Sequence, residues 1–328
     1  MYANAQAETI GRDDLESLQF ERLKKIVEWA YEKSAYYNRA FRRRNIKPDS
    51  IQSLADINRL PLLNLSTLHR TDAFDILTLP LSSVLRFNHI IESTGEITKL
   101  YTKGDVLRNV ELMSRCLVAA GINNASVVGV QGEMSDSRML DVLYALEMLG
   151  ATVVPFGTDY RQWLRLMDLA TVDTLISTPQ LVMQLIIQLQ TIGKNIADYP
   201  IGKIVCLNAN TIQNPLQQHI RERTTSKVYN LFAPPELGCA GMLYQCAEHS
   251  GHHLQEDCYL AELVHFDSEE PVTEDERMGE LVITTLTAQA MPLIRYRTGQ
   301  AVRRMSGQCS CGRSFVRLAT PYTAIRNA

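Results

Sequence analysis

The chain has 328 residues, of which 45% are hydrophobic and 21% charged; it is an ordinary globular composition, long enough for one large domain with subdomains or for two domains. Lys+Arg number 33 against 36 Asp+Glu, a formal net charge of -3, which gives no electrostatic reason to expect nucleic acid or an anionic membrane as partner. No apolar run reaches the ~18 residues of a membrane span.

The N-terminus, MYANAQAETIGRDD, lacks the basic and apolar regions of a signal peptide, so a cytoplasmic location is expected. Residues 13–45 read as helix, with Leu23, Ile26, Val27 and Ala30 on one face. The basic run Arg42-Arg43-Arg44 reads as a solvated helix end. Pro48 and Pro61 punctuate a loop-rich stretch, and the first segment, 1–85, is expected to be mainly helical.

From about residue 86 strands and helices alternate. Val106, Val110, Met113 and Leu117 sit at helical spacing, and Gly121 caps that helix. Ala125–Val130 is of strand length. Met139, Leu143 and Leu146 mark a helix that ends at Gly150, and Thr152–Phe156 reads as a buried strand. The alternation continues through Thr174–Ser177, a helix over 179–190, Lys203–Leu207, a helix over 215–223, and Lys227–Phe232. Such regular alternation predicts an α/β fold, with a parallel sheet layered by helices over 86–240. After 240 the helical period is lost. Tyr259–Phe266 and Glu280–Thr285 are β-like, which predicts a smaller β subdomain over 241–328.

The seven cysteines are an odd number in a long chain, which favours buried thiols plus a metal site over a disulfide framework. Cys246 and His253 are followed by Cys309-x-Cys311-Gly312-Arg313. Two pairs of thiolate and imidazole donors suit a tetrahedral structural zinc that would staple the β subdomain. The Cys-x-Cys gap is tighter than usual, and surface histidines with unligated thiols fit the local sequence as well. His252 competes with His253, but an extended segment points them to opposite faces, so one alone should bind. Cys116 and Cys206 read as core thiols, while Cys239 and Cys258 have no evident partner.

The segment GELVITTLTAQAMPLIRYRTGQ at 279–300 closely resembles the phenylacetate–CoA ligase-like branch of the adenylate-forming superfamily, whose members read GELVxTxLxxxAxPLIRYRTGD followed by Cys-x-Cys-Gly-Arg. SAYYNRAFRRRNIKPDSIQSLADINRLPLLN, LGATVVPFG at 149–157 and HLQEDCYLAELV at 253–264 fit the same branch. The resemblance implies the large N-terminal domain of an adenylate-forming enzyme. It matches His253, not His252, to the family's histidine, and some relatives carry zinc there. It further implies ATP-dependent activation of a carboxylate and transfer of the acyl group to coenzyme A. Phosphate-cradling backbone, a carboxylate for Mg²⁺, an acid on the ribose and a lysine for the transferring phosphate are needed for this.

The segments that would carry these parts are altered here, and of the acids the Mg²⁺ carboxylate alone survives. The phosphate loop, SSGTTGKPT in relatives, reads Ser93-Thr94-Gly95-Glu96-Ile97-Thr98-Lys99 and is shorter, with an acid where phosphate oxygens would lie. The adenine segment has become Asn208-Ala209-Asn210-Thr211. The YGLTE-type motif reads Phe232-Ala233-Pro234-Pro235-Glu236, which keeps Glu236 as a Mg²⁺ carboxylate and expected catalytic residue. The ribose aspartate is replaced by Gln300, while Arg297 remains to serve phosphate, packing or an ion pair. The family's C-terminal lid domain, which carries the lysine, is expected to be absent.

Coordinated loss at these places leads to the expectation of a degenerate ligase-like protein that binds a small carboxylate, an acyl-CoA or a protein partner, with a homodimer allowed. Zinc is the expected metal, coenzyme A a further ligand, and ATP·Mg²⁺ is argued against. One alternative is an active adenylate-forming ligase whose missing domain is supplied in trans or is dispensable. Another is different chemistry in the inherited cleft, drawing on Glu96, Glu133 and Asp136, although Ser135 or Asp136 also reads as a helix cap.

Overall fold

The computed structural model describes residues 1–92, 95–157, 159–208, 211–212, 214–274 and 277–320. These form two compact units. The first comprises Met1–Ala3 and Asn109–His252, the second Asn4–Arg108 and His253–Ala328.

The second unit begins with α1 (Ala5–Glu8), α2 (Arg12–Lys33) and α3 (Ala35–Arg43). The single helix expected over 13–45 is therefore two. Ser34 sits between them with extended backbone (ψ 122°), and its hydroxyl accepts from the Tyr37 amide at 3.3 Å; a serine that caps the next helix competes with continuation of the previous one. Arg42, Arg43 and Arg44 are exposed at the end of α3. The short helices α4 (Leu65–Arg70) and α5 (Ala73–Ile76) follow. Leu23, Val27, Tyr37 and Phe41 join Leu60, Ile76, Leu100 and Ile294 in this unit's core, so the amphipathic face of α2 is buried against segments far along the chain.

Residues 86–101, expected to open the parallel layer, instead fold as an antiparallel hairpin of β1 (Arg86–Glu92) and β2 (Gly95–Tyr101), paired from Arg86↔Tyr101 to Glu92↔Gly95. Helix α6 (Lys103–Ala119) then starts in the second unit and ends in the first.

The first unit is the α/β layer. Along the chain it holds β3 (Val127–Gln131), α7 (Ser137–Met148), β4 (Thr152–Phe156), α8 (Tyr160–Ala170), β5 (Thr174–Ser177), α9 (Pro179–Thr191), β6 (Lys203–Asn208), α10 (Pro215–Arg223), β7 (Lys227–Phe232) and β8 (Leu243–Tyr244). The spatial order is β4-β3-β5-β6-β7-β8, parallel from β4 to β7 with β8 antiparallel on β7. Strands β5, β6 and β7 are almost wholly buried, as strands covered on both faces must be. Helix α8, which had no expectation from the sequence, packs Trp163 and Met167 onto Phe156 and Val172.

The chain returns to the second unit through β9 (His252–Leu254), β10 (Tyr259–Val264), β11 (Gly279–Thr285), β12 (Tyr296–Met305) and β13 (Arg317–Ala319). Here the order is β10-β11-β12-β13-β9, with antiparallel pairing from β10 through β13. No helix formed by the described residues is long and apolar enough to cross a membrane.

Candidate functional site

Strand β9 sets two neighbouring histidines on different tasks. His252 Nε2 accepts from Asn230 Nδ2 at 3.0 Å in the first unit. His253 is fully buried, and its Nδ1 lies 3.2 Å from the Phe315 carbonyl. A carbonyl only accepts, so Nδ1 carries the proton and Nε2 keeps its lone pair, the tautomer that a metal-binding histidine needs. That Nε2 lies 3.5 Å from Cys311 Sγ. Tetrahedral zinc with bonds of ~2.3 Å to sulfur and ~2.0 Å to nitrogen separates the two donors by about 3.5 Å. The donor atoms of His253, Cys309 and Cys311 all lie within 4.8 Å of one another, so the residues fit a zinc ion.

The turn that presents the two thiols closes through the Gly312 amide, which donates to the Cys309 carbonyl at 3.0 Å. Gly312 has φ 84°, in the left-handed region that favours glycine. From the other side Arg317 Nη2 donates to the Ser306 and Gly307 carbonyls at 3.2 and 2.9 Å. Cys246 is buried in the first unit, beyond β8. No disulfide joins any of the seven cysteines.

The segments expected from the resemblance to handle nucleotide look different. Ser93 and Thr94 lie outside the described residues, as do Ala209 and Asn210. Gly95 begins β2 with φ 143°, and the His69 ring fills the space where a Cβ would stand, 2.6 Å from its Nδ1. Lys99, in the same strand, is buried and donates from Nζ to the Met291 carbonyl at 2.7 Å. Glu96 is exposed, its carboxylate 3.8 Å from His89 Nε2. Asn208 ends β6 and donates to the side-chain carbonyl of Asn230.

Glu236 is buried in a short turn, Pro235–Leu237. That turn is tied down where Asn109 Nδ2 donates to the Gly238 carbonyl at 2.6 Å. Arg297 Nε donates to Glu280 at 2.9 Å and its Nη2 to the Phe266 carbonyl at 3.0 Å; the bond to Glu280 raises its already high pKa. The Gln300 amide turns back toward the Thr298 carbonyl at 3.5 Å.

No family model matches the chain. It is, however, 30% identical over 323 residues to a Thermus thermophilus protein named phenylacetate-coenzyme A ligase, covering 97% of this chain and 72% of that one. The chain belongs to the phenylacetate–coenzyme A ligase family. An Escherichia coli protein of the same name is 28% identical over 318 residues, with 95% and 72% covered. The fold is also that of 2-hydroxyisobutyryl-CoA ligase in an open conformation with 2-HIB-AMP and CoA, at TM-score 0.87 and 19% identity, covering 95% of this chain and 70% of that one.

Within this family fold, several buried side chains with no counterpart in the sequence reading hold the loops. Thr102 and Asp105 form a reciprocal cap at the start of α6, and the Asp105 carboxylate also accepts from the Gln289 and Ala290 amides at 2.7 and 3.1 Å. The Thr-x-x-Asp spacing is a readable capping signal; its grip on residues 289–290 is not. Glu133 is exposed, and Asp136 caps α7, accepting from the Arg138 amide at 3.0 Å and pairing with its guanidinium. Gln131 and Ser177, at the carboxyl ends of β3 and β5 where the strand order reverses, are buried and bonded to each other at 3.3 Å. Ligands of α/β sheets commonly bind at such a switch point, and here two neutral side chains satisfy one another.

Proposed function

We propose that this family member binds a small carboxylate or acyl-CoA ligand and does not, by itself, activate a carboxylate with ATP. The β1–β2 ladder carries this reading. It pairs Glu92 with Gly95 and runs without a break to Arg86↔Tyr101, leaving only residues 93 and 94 between the strands. A phosphate cradle needs successive backbone N–H groups converging on one anion, whereas a strand aims them alternately to its two edges. Gln300 adds to this, since a neutral amide cannot take two ribose hydroxyl protons as a carboxylate can. The ligand class is supported by the 2-HIB-AMP and CoA bound to 2-hydroxyisobutyryl-CoA ligase.

The same reading includes a structural zinc on His253, Cys309 and Cys311, an ion that would hold the turn at 309–312 against β9. A protein partner or a second copy of the chain, and a cytoplasmic location, belong to the proposal as well.

Calorimetric titration of ATP·Mg²⁺ into zinc-loaded protein tests it. Absence of heat at millimolar nucleotide is expected; binding in the low-millimolar range or tighter would overturn the reading. One observation favours a working ligase, namely the retained carboxylate of Glu236. ATP–pyrophosphate exchange with an aromatic or aliphatic acid would establish that alternative.

A further inference from the structure

Glu8 and Arg313 lie at opposite ends of the chain, yet Arg313 Nε donates to Glu8 Oε2 at 2.6 Å, with both side chains nearly sealed from water. Glu8 Oε1 accepts from the Asn4 amide at 2.9 Å, and the Glu8 carbonyl accepts from the Ser314 amide at 3.0 Å. One glutamate thus ties helix α1 to the two residues that follow Cys311-Gly312. A second tie runs in parallel. Glu256, three residues beyond His253, accepts from Arg12 Nη2 at 3.0 Å and from the Val316 amide at 2.5 Å.

Resting on the zinc reading, we propose that metal binding at His253, Cys309 and Cys311 clamps the N-terminal segment 4–12, so that metal occupancy switches this segment between docked and released. Helix α1 has four residues, far below the length at which a helix holds itself in water, so its order comes from tertiary contacts. Its Glu8 is held by Arg313 and Ser314, and Arg12 just beyond it pairs with Glu256, which accepts from Val316. The stretch 313–316 is anchored at one end by Cys311 and at the other by Phe315, whose carbonyl bonds the ring of His253. Both anchors are metal donors or bonded to one. A buried ion pair is favourable only while its geometry is held, and loss of the metal loosens the turn that positions Arg313.

Hydrogen exchange of the full chain, read by mass spectrometry with zinc bound and after chelation, tests the clamp, with zinc content measured on the same samples. Peptides over residues 4–12 are expected to lose about tenfold or more in protection, while peptides from β3 and α7 keep theirs. Glu8→Gln, or Arg313→Lys should that variant not fold, is expected to retain zinc yet expose the same segment with metal present. Unchanged protection at 4–12 after verified metal loss overturns the clamp and leaves the zinc reading standing. Equal loss across all peptides also overturns it, making the metal a global staple. A chain that neither contains nor takes up zinc fails at the metal measurement, and the zinc reading falls with the clamp.

Discussion

Arg295 is fully buried with its guanidinium against Glu262, Nε lying 3.1 Å from both carboxylate oxygens. Its Nη1 donates to the Asn58 and Leu60 carbonyls at 2.9 and 2.7 Å, and its backbone has φ 51°. A non-glycine residue in that region is sparsely populated and persists where its surroundings fix it. The first arginine of the RYRTG motif is therefore a strut between the loop at 58–60 and the antiparallel sheet.

Removing one partner should be costly, because a charge would be left inside without compensation. Arg295→Met is expected to destabilise the second unit by about 3–5 kcal/mol, and Glu262→Gln by somewhat less, since an amide still accepts a hydrogen bond. Urea unfolding of the two variants checks the magnitude. A loss below about 1 kcal/mol in Arg295→Met would mean that the loop at 58–60 is held by other contacts.

The acids of this unit should also shape its pH response. Burial pushes the carboxyls of Glu256 and Glu262 above their ordinary 4.5, more than Arg12 and Arg295 pull them down. A carboxyl with a raised native pKa is protonated first in the folded state. Its favourable contribution is full below the unfolded value and is lost as pH rises through the native value. Acidification from neutral toward that native value should therefore stabilise wild type relative to Glu256→Gln, which has no proton to gain at this site. Denaturation midpoints of both proteins at pH 7 and near pH 5 give the comparison. A difference between them that stays constant with pH would refute the assignment.

Much of the first unit was legible because its strands are apolar runs bounded by glycine or proline: Thr152–Phe156, Thr174–Ser177 and Lys227–Phe232 fall where those runs predict, although the first, expected to be buried, lies at the end of the strand order and exposes Thr152 and Pro155. The errors have separate causes. Helix periodicity passed through Ser34 since a cap looks like any polar position until its hydroxyl finds the Tyr37 amide. The β1–β2 hairpin was hidden under a loop motif, because pattern does not show that residues 95–101 pair with 86–92. Alternation in an extended strand implied only that one of His252 and His253 would bind, and the family resemblance chose His253; the two rings do go to different partners. Glu8 with Arg313, 305 positions apart, left no local trace at all.

Thiol chemistry should separate the core cysteines from the cluster. Burial pushes the Cys206 thiol up to about 12, so it has almost no thiolate at neutral pH and should resist alkylation in the folded protein. Cys309 and Cys311 should be protected by zinc and become the first thiols modified after chelation. Peptide mapping of iodoacetamide adducts with and without chelator distinguishes the two groups. Modification of Cys309 and Cys311 at the same rate in both samples would argue against a metal.

On the proposed reading, placing an acid at position 300 should not by itself confer nucleotide binding. Gln300→Asp returns a carboxylate to the ribose position of the family motif, yet Lys99 stays bonded to the Met291 carbonyl and the β1–β2 ladder still leaves two residues between its strands. If the ladder is the main obstacle, the variant should give no heat with ATP·Mg²⁺. A second variant, with SSGTTGKPT replacing residues 93–99 in the Gln300→Asp background, should then gain measurable affinity. Binding by Gln300→Asp alone would place the defect at the ribose and show that the hairpin can open over phosphate. The proposed loss of ATP chemistry would then come down to a single side chain, and the rest of the site would have kept its capacity for nucleotide.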